Sequence, residues 1–430
     1  MNSNTSVIKF LLMGIGLTAN FVDASTDYTP GKQHNYTHSS GDVPKDVYQY
    51  SVWVPKDYQP AKTYPVVFYL HGGGKGRKHP DNGKRNMVSA TLLDNDRTTD
   101  AGYSRHQSGF HGYILVSPVK PIARWNARQF GRLLEHVKNK VSINENRVYV
   151  TGFSMGGQGT WHVACGNPGN YKIAAMMPLG AWGCREVRHG KTPETCRTLK
   201  TAVWVQHCPL DPVSKISEQL RLFDSHIECG GYGRFTMIPG KGHISRGAND
   251  GRFFNQRMSW MLAQDYGTPF NYMVEVNGGT IGEVKSGLRS FKGDDSRFGF
   301  FEPGTVIGLD APATKNGQPF VKWACVTGGF SDAFSRSSTF TTEKSDAEIC
   351  AIYGNKKTLL TIEGGFAEPA APSPGDIVKV TVDENQKGKR YFYWKSGSPS
   401  LDVAIPYKRS FTFVMPSASV TLAAEFYSPR

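Results

Sequence analysis

The sequence predicts an α/β fold, a doubly wound and mostly parallel sheet, followed by two small all-β modules. Three observations carry this expectation. From about residue 45 to residue 266, short apolar runs alternate with stretches of helical spacing, the pattern of strands covered by helices on both faces. After Gly267-Thr268-Pro269 helical spacing stops, and strand-like segments separated by Gly, Pro and Asp turns run to the end. That tail also echoes itself. Met273-Val274-Glu275-Val276-Asn277-Gly278-Gly279 returns as Leu360-Thr361-Ile362-Glu363-Gly364-Gly365, and Phe320-Val321-Lys322-Trp323 as Tyr391-Phe392-Tyr393-Trp394. The expected units are a leader over residues 1–24, an α/β domain over 25–267, and β modules over 272–354 and 357–430.

The opening has the layout of a secretory signal: Lys9, the apolar run Phe10 to Ala19, then Val22-Asp23-Ala24 before the expected cut. The run is too short for a membrane span, and no later stretch is long enough. After a polar lead-in, Val47 to Val54 alternates as a strand. Pro65 to Leu70 is a continuous apolar run, as in a strand buried on both faces, and it ends in His71-Gly72-Gly73-Gly74. A basic loop, Lys75 to Arg85, and a polar region to about Gly109 follow. Tyr113 to Val116 is the next strand, and residues 126–141 place Phe130, Leu133, Leu134 and Val137 on one side of a helix. Val148 to Thr151 leads into Gly152-Phe153-Ser154-Met155-Gly156. Ile173–Leu179, Ala202–Gln206 and Phe235–Ile238 read as further strands, with helical stretches at Ser214–Glu228 and Asp250–Tyr266.

The Gly-x-Ser-x-Gly turn between a strand and a proline-free stretch is the context in which a serine is held at the apex of a sharp strand-to-helix turn. A serine hydroxyl is a weak nucleophile until a base takes its proton, and the base needs a third group to hold its tautomer. On this fold the acid and then the histidine are expected later in the chain, each beyond a strand. Asp211 follows Ala202–Gln206 through His207-Cys208-Pro209-Leu210, and His243 follows Phe235–Ile238 through Pro239-Gly240-Lys241-Gly242. Ser154, Asp211 and His243 are therefore the expected nucleophile, acid and base, with Asp250 as reserve acid. Donors for a developing oxyanion are expected from the N–H of Met155 and from the glycine turn, Gly73 first and then Gly74. Trp125 is the candidate for lining a substrate pocket. Trp323 and Trp394 are expected in the cores of their modules, with a sugar-stacking platform as the alternative.

Composition narrows the partners. Residues 1–270 carry 32 Lys and Arg against 19 Asp and Glu, while residues 271–430 carry 18 against 17. The net charge of +14 thus belongs to the first part, favouring anionic surfaces or substrates if it is more than a solvated face. No nucleic-acid module is visible. There is no His-Glu-x-x-His, no Cys-x-x-Cys and no Gly-x-Gly-x-x-Gly, so no metal and no cofactor are expected. Seven cysteines fit an oxidising compartment. Cys325 and Cys350 are a candidate pair, and Cys165 the expected buried thiol. The connectivity of Cys184, Cys196, Cys208 and Cys229 is open.

Tyr64 to Gly73, Asn146 to Gly157, and the later Asp and Gly-x-x-His together resemble the secreted α/β-hydrolase esterases, in particular the feruloyl esterase and polyhydroxybutyrate-depolymerase-like group. The resemblance covers about residues 45–266. It implies an α/β-hydrolase sheet with Ser154 as nucleophile, Asp211 as acid and His243 as base. Cys208 departs from the pattern, since relatives often have glycine there. The tail, about 272–427, resembles two divergent B-repeat modules of the internalin type. The expectation is a secreted serine carboxylic ester hydrolase working through an acyl-enzyme on a polymeric plant-polysaccharide ester, feruloyl or acetyl. Carbohydrate or surface contact would come through the C-terminal modules. The alternatives are a polyester depolymerase, an exported binding or adhesin protein with an inactive hydrolase domain, and a peptidase of the same fold. The complete Ser, Asp, His order argues against the inactive form.

Overall fold

The computed structural model describes residues 28–31, 33–72, 112–119, 124–183, 196–238, 242–243, 251–267, 269–286, 291–292, 297–354, 358–384, 389–398, 401 and 406–427. The expected leader, the basic loop and Asp250 lie outside the described residues.

The first part is built from β1 (Gln33–Tyr36), β2 (Gln49–Trp53), β3 (Tyr64–Leu70), β4 (Ile114–Val119), β5 (Ile143–Phe153), β6 (Ala175–Leu179), β7 (Ala202–His207) and β8 (Gly233–Met237). Four helices accompany them: α1 (Ala127–Lys138), α2 (Met155–Cys165), α3 (Ile216–Glu228) and α4 (Gly251–Ala263). The strands form one sheet in the order β1-β2-β4-β3-β5-β6-β7-β8. From β4 to β8 every neighbour is parallel, and the edge pairings β1–β2 and β2–β4 are antiparallel, so β2 alone runs against the rest. All seven residues of β3 are buried, because both of its faces are covered, as the continuous apolar run implies. β1 was not legible in the polar lead-in. Its Gln-His-Asn-Tyr has no apolar alternation, and pairing with β2 makes it a strand.

The period of two along β3 divides the core. Val66 and Phe68 face a cluster with Phe130 of α1, Trp161 of α2 and Phe223 of α3. Val67 and Tyr69 face the other way, to Tyr149, Trp204 and Trp260. Helix α1 buries Phe130, Leu133, Leu134 and Val137, the face its spacing predicts, and the Asn126 side chain caps its first turn by accepting from Gln129 N at 2.8 Å. Among the described residues no helix is long and apolar enough to cross a membrane.

The tail forms a four-stranded and a six-stranded sheet, then two three-stranded sheets. The sequence echo has a structural counterpart. Tyr272–Asn277 pairs in parallel with Ala347–Tyr353, and Leu360–Glu363 in parallel with Val420–Tyr427. In each half a glycine at positive φ (Gly278 at +86°, Gly364 at +70°) precedes a glycine pressed on the half's own tryptophan. A Cβ on Gly279 would stand 2.5 Å from the Trp323 ring, and one on Gly365 2.5 Å from that of Trp394. Both tryptophans are 1% exposed and serve as core, which leaves no stacking platform.

One expectation is corrected here. Cys325 and Cys350 remain thiols, because Cys350 packs with Ile352 and Val414 while Cys325 packs against the cluster of Trp323 and Phe340. The disulfide among the described residues joins Cys196, ahead of β7, to Cys229 at the end of α3. Cys165 is buried as a thiol, as expected. The tail and the first part share a core: Phe270, Met273, Phe298 and Phe300 lie in one cluster with Trp204 and Trp260. Asp346 of the tail accepts from Tyr232 Oη at 2.7 Å, pairs with Arg234 and accepts from Met273 N at 2.9 Å. Tyr407, near the far end of the chain, donates to Asp224 of α3 at 2.7 Å.

Cutting after Thr268 therefore opens a core, and each large aromatic lost from such a site costs about 3–5 kcal/mol. The shortened chain is expected to melt at least ~10 °C lower, or to bind a hydrophobic dye in the cold. An unchanged melting temperature would show that the shared core carries no stability. A second expectation concerns acid. His226 is wholly buried between the Thr198 hydroxyl at 2.8 Å and Tyr232 O at 3.0 Å. Burial pushes its pKa down to about 4, with the Tyr232 carbonyl opposing in part. The unfolded chain takes up a proton below about pH 6.5, which the native state refuses until about 4. Stability is thus complete above that window and falls by about 3 kcal/mol as pH drops through it. Thermal melts from pH 7 to 5 should show the decline, and His226→Gln should flatten it; equal slopes in both proteins would contradict the assignment.

Candidate active site

β5 runs through Phe153, and α2 begins at Met155. Between them Ser154 adopts φ 58° and ψ −116°, a backbone state that a residue with a Cβ enters only under constraint. The constraint is close packing of three backbones. A Cβ on Gly156 would lie 1.8 Å from Leu70 O, and one on Gly152 2.5 Å from the same atom, so both positions admit only glycine. Ser154 N donates to Leu179 O at 2.9 Å, which pins the turn to the end of β6. The Ser154 side chain is thereby held over the N-terminus of α2, where unpaired N–H groups favour negative charge.

His243 and Asp211 arrive at the same place from the ends of β8 and β7. His243 Nε2 is 2.7 Å from Ser154 Oγ, and its Nδ1 is 2.6 Å from Asp211 Oδ2. An ionised carboxylate only accepts, so Nδ1–H donates to Asp211 and Nε2 accepts from the serine hydroxyl. The Phe153 ring lies against the imidazole with centroids 4.8 Å apart. Asp211 Oδ1 accepts from Val213 N at 2.8 Å and Ser214 N at 3.0 Å, and Oδ2 also meets Ser214 Oγ at 2.8 Å. Burial by itself would raise the Asp211 pKa. The bonds from His243, the Ser214 and Val213 amides and the Ser214 hydroxyl outweigh it, and the pKa is held below the usual carboxylate value. The arrangement can draw the proton from a serine hydroxyl onto a ring whose far side rests on a fixed negative charge.

Ser154, Asp211 and His243 thus come together from positions far apart in the chain. The Met155 N–H is the first of α2, among the donors that lack a partner within the helix. Gly73 and Gly74 lie outside the described residues. Gly72, just before them, passes Ser154 closely: a Cβ there would be 3.5 Å from the serine Cβ and 3.2 Å from Phe153 O. Trp125 is 1% exposed; its Nε1 donates to His71 O at 3.3 Å, and its ring packs on His71, Tyr48 and Gly159. It braces the turn that leads to the glycine run.

Two residues of the site escaped the sequence reading. His207 is fully buried, with Nε2 donating to Ser214 O at 3.0 Å, and lies 4.0 Å from Asp211 Oδ2. Burial lowers its pKa, opposed by the Ser214 carbonyl and the Asp211 charge, so it stands as a neutral donor at physiological pH. Ser214 is 1% exposed. Each had an ordinary sequence context, a strand end and a helix approach, and only the folded loop brings them to the carboxylate.

No family model and no curated protein matches this chain. Among solved structures it is similar to a thermostable esterase (22% identity, TM-score 0.40), covering 54% of this chain and 63% of that one, just under two thirds of its length. It is also similar to the feruloyl esterase module from Clostridium thermocellum complexed with sinapinate, at 15% identity and TM-score 0.36, covering 54% and 88%. A third similar structure is dipeptidyl peptidase 4 of Porphyromonas gingivalis, at 11% identity and TM-score 0.36, covering 50% and 33%. These likenesses do not choose among substrates.

Proposed function

We propose that the protein is a secreted serine ester hydrolase that works through an acyl-enzyme. The observation that carries this reading is the unbroken contact chain Ser154 Oγ, His243 Nε2, His243 Nδ1, Asp211 Oδ2, at 2.7 Å and 2.6 Å, on a serine held at φ 58°. In the proposed reaction His243 takes the hydroxyl proton as Ser154 Oγ attacks an ester carbonyl. Asp211 keeps the imidazole in the reactive tautomer and stabilises its positive charge. The oxyanion is received by the Met155 N–H and by a backbone donor of Gly73 or Gly74. His243 then protonates the departing alcohol, and water repeats the sequence to free the acid. Export is supported by the Cys196–Cys229 disulfide, which persists in oxidising compartments.

The substrate proposed is a feruloyl or acetyl ester of a plant polysaccharide. A polyester is the second reading, favoured by one feature of the site. Leu210 and Val213, on the turn that carries Asp211, are 48% and 60% exposed, and exposed apolar side chains there would suit a hydrophobic acyl chain. Methyl ferulate, acetylated xylan, a polyester film and a p-nitrophenyl acyl series, assayed side by side, separate the two.

Ser154→Ala should abolish turnover, by about 10⁶, with the fold retained. A fluorophosphonate should label wild type at Ser154 and leave the variant unlabelled. Label on another residue, or an active variant, removes the reading. Asp211→Asn should slow turnover by roughly 10⁴, because the imidazole loses the partner that fixes its tautomer. A loss below about tenfold would place the acid elsewhere, with Asp250 next in line.

A further inference from the structure

The Ser214 hydroxyl stands where the acid turn and the nucleophile turn meet. Its Oγ is 2.8 Å from Asp211 Oδ2 and 2.8 Å from Gly180 O, and 3.5 Å from His243 Nδ1. Its amide donates to Asp211 Oδ1 at 3.0 Å, so this one residue touches both oxygens of the carboxylate. Gly180 directly follows Leu179, whose carbonyl takes the Ser154 N–H at 2.9 Å, and Gly180 N is itself fixed by Gln206 O at 2.9 Å. Space there is tight as well: a Cβ on Gly180 would lie 2.8 Å from the Phe153 ring and 3.9 Å from Asp211 Oδ2. His207 holds the far end of the same turn through the Ser214 carbonyl at 3.0 Å.

A hydroxyl has one proton, so Ser214 cannot donate to Asp211 and Gly180 at once. The ionised carboxylate is the stronger acceptor, and a hydrogen bond to it is worth about twice a neutral one. Without that bond, Oδ2 would face the buried hydroxyl oxygen lone pair to lone pair.

We infer that Ser214 is a positioning residue of the hydrolytic site: its hydroxyl donates to Asp211 Oδ2 and holds the carboxylate plane so that the same oxygen meets His243 Nδ1. The inference rests on the proposed acyl-enzyme reading and adds a fourth member to its hydrogen-bond chain. Ser214 does not touch the substrate and acts only through Asp211. Its removal therefore slows attack by Ser154 without changing substrate affinity.

The test is the rate of fluorophosphonate labelling at Ser154 in the full chain, which needs no knowledge of the natural substrate. Ser214→Ala should label about 10- to 100-fold more slowly, the size of one hydrogen bond to a charged group. On a p-nitrophenyl ester kcat should fall by a similar factor, with KM within about twofold. In an Asp211→Asn background the same substitution should add less than about twofold, since the carboxylate it acts on is gone. A merely structural role would instead multiply the two losses, and that additive cycle overturns the inference. Should Ser214→Ala fail to fold, Ser214→Cys keeps the side-chain size with a weak donor and should show the same slowing. Wild type labelled at Ser154 and matched by a folded Ser214 variant overturns this inference alone. Wild type left unlabelled overturns the hydrolase reading together with it.

Discussion

The contact on which the site depends is between backbones: Leu70 O sits where a side chain on Gly156 would stand, 1.8 Å from the position of its Cβ. Because Gly152 and Gly156 have no side chains, β3, β5 and the first turn of α2 approach closer than any other residue permits. The chain between them must then reverse within one residue, and that residue is Ser154 at φ 58°. Strain of this kind costs about 1–3 kcal/mol and survives only where surrounding packing over-determines it. Here the packing is a helix buried along almost its whole length and a strand with all seven residues buried.

Around this turn, polar groups are placed by loops that leave the carboxyl ends of parallel strands. Asp211 illustrates the balance. Its side chain is removed from water, which disfavours the charge, yet two backbone amides, a hydroxyl and an imidazole all point at it and keep it ionised. The charge in turn sets the tautomer of His243, and with it the nitrogen that faces Ser154. His207 and Ser214 hold the loop from behind. The carboxylate is therefore held on both sides, by the ring it orients and by the turn that carries it.

The tail is not a string of separate beads. Asp346 reaches back to Tyr232 and Arg234, and Phe270, Phe298 and Phe300 enter the cluster that covers one face of the main sheet. From the other half of the tail, Tyr393 packs into the opposite face. The β units thus cover apolar surface on the faces of the α/β sheet that would otherwise be exposed.

Sequence alone determined what depends on local pattern. The continuous run of β3, the face of α1 and the strand-glycine-serine-glycine turn follow from spacing and from the conformational freedom of glycine. The order of Ser154, Asp211 and His243 follows from strand ends. The paired Gly-Gly and tryptophan positions of the tail were legible for the same reason. Tertiary structure alone decided what depends on partners distant in the chain. β1 becomes a strand only by pairing with β2. Trp125, aromatic and near the site in sequence, is turned inward to brace His71. Cys325 and Cys350 end in different clusters despite adjacent strands. Ser214 and His207 gain their importance from one carboxylate that the folded loop brings within hydrogen-bond reach. Periodicity reports which face a side chain takes, whereas the identity of its neighbour is set by how whole strands and helices dock.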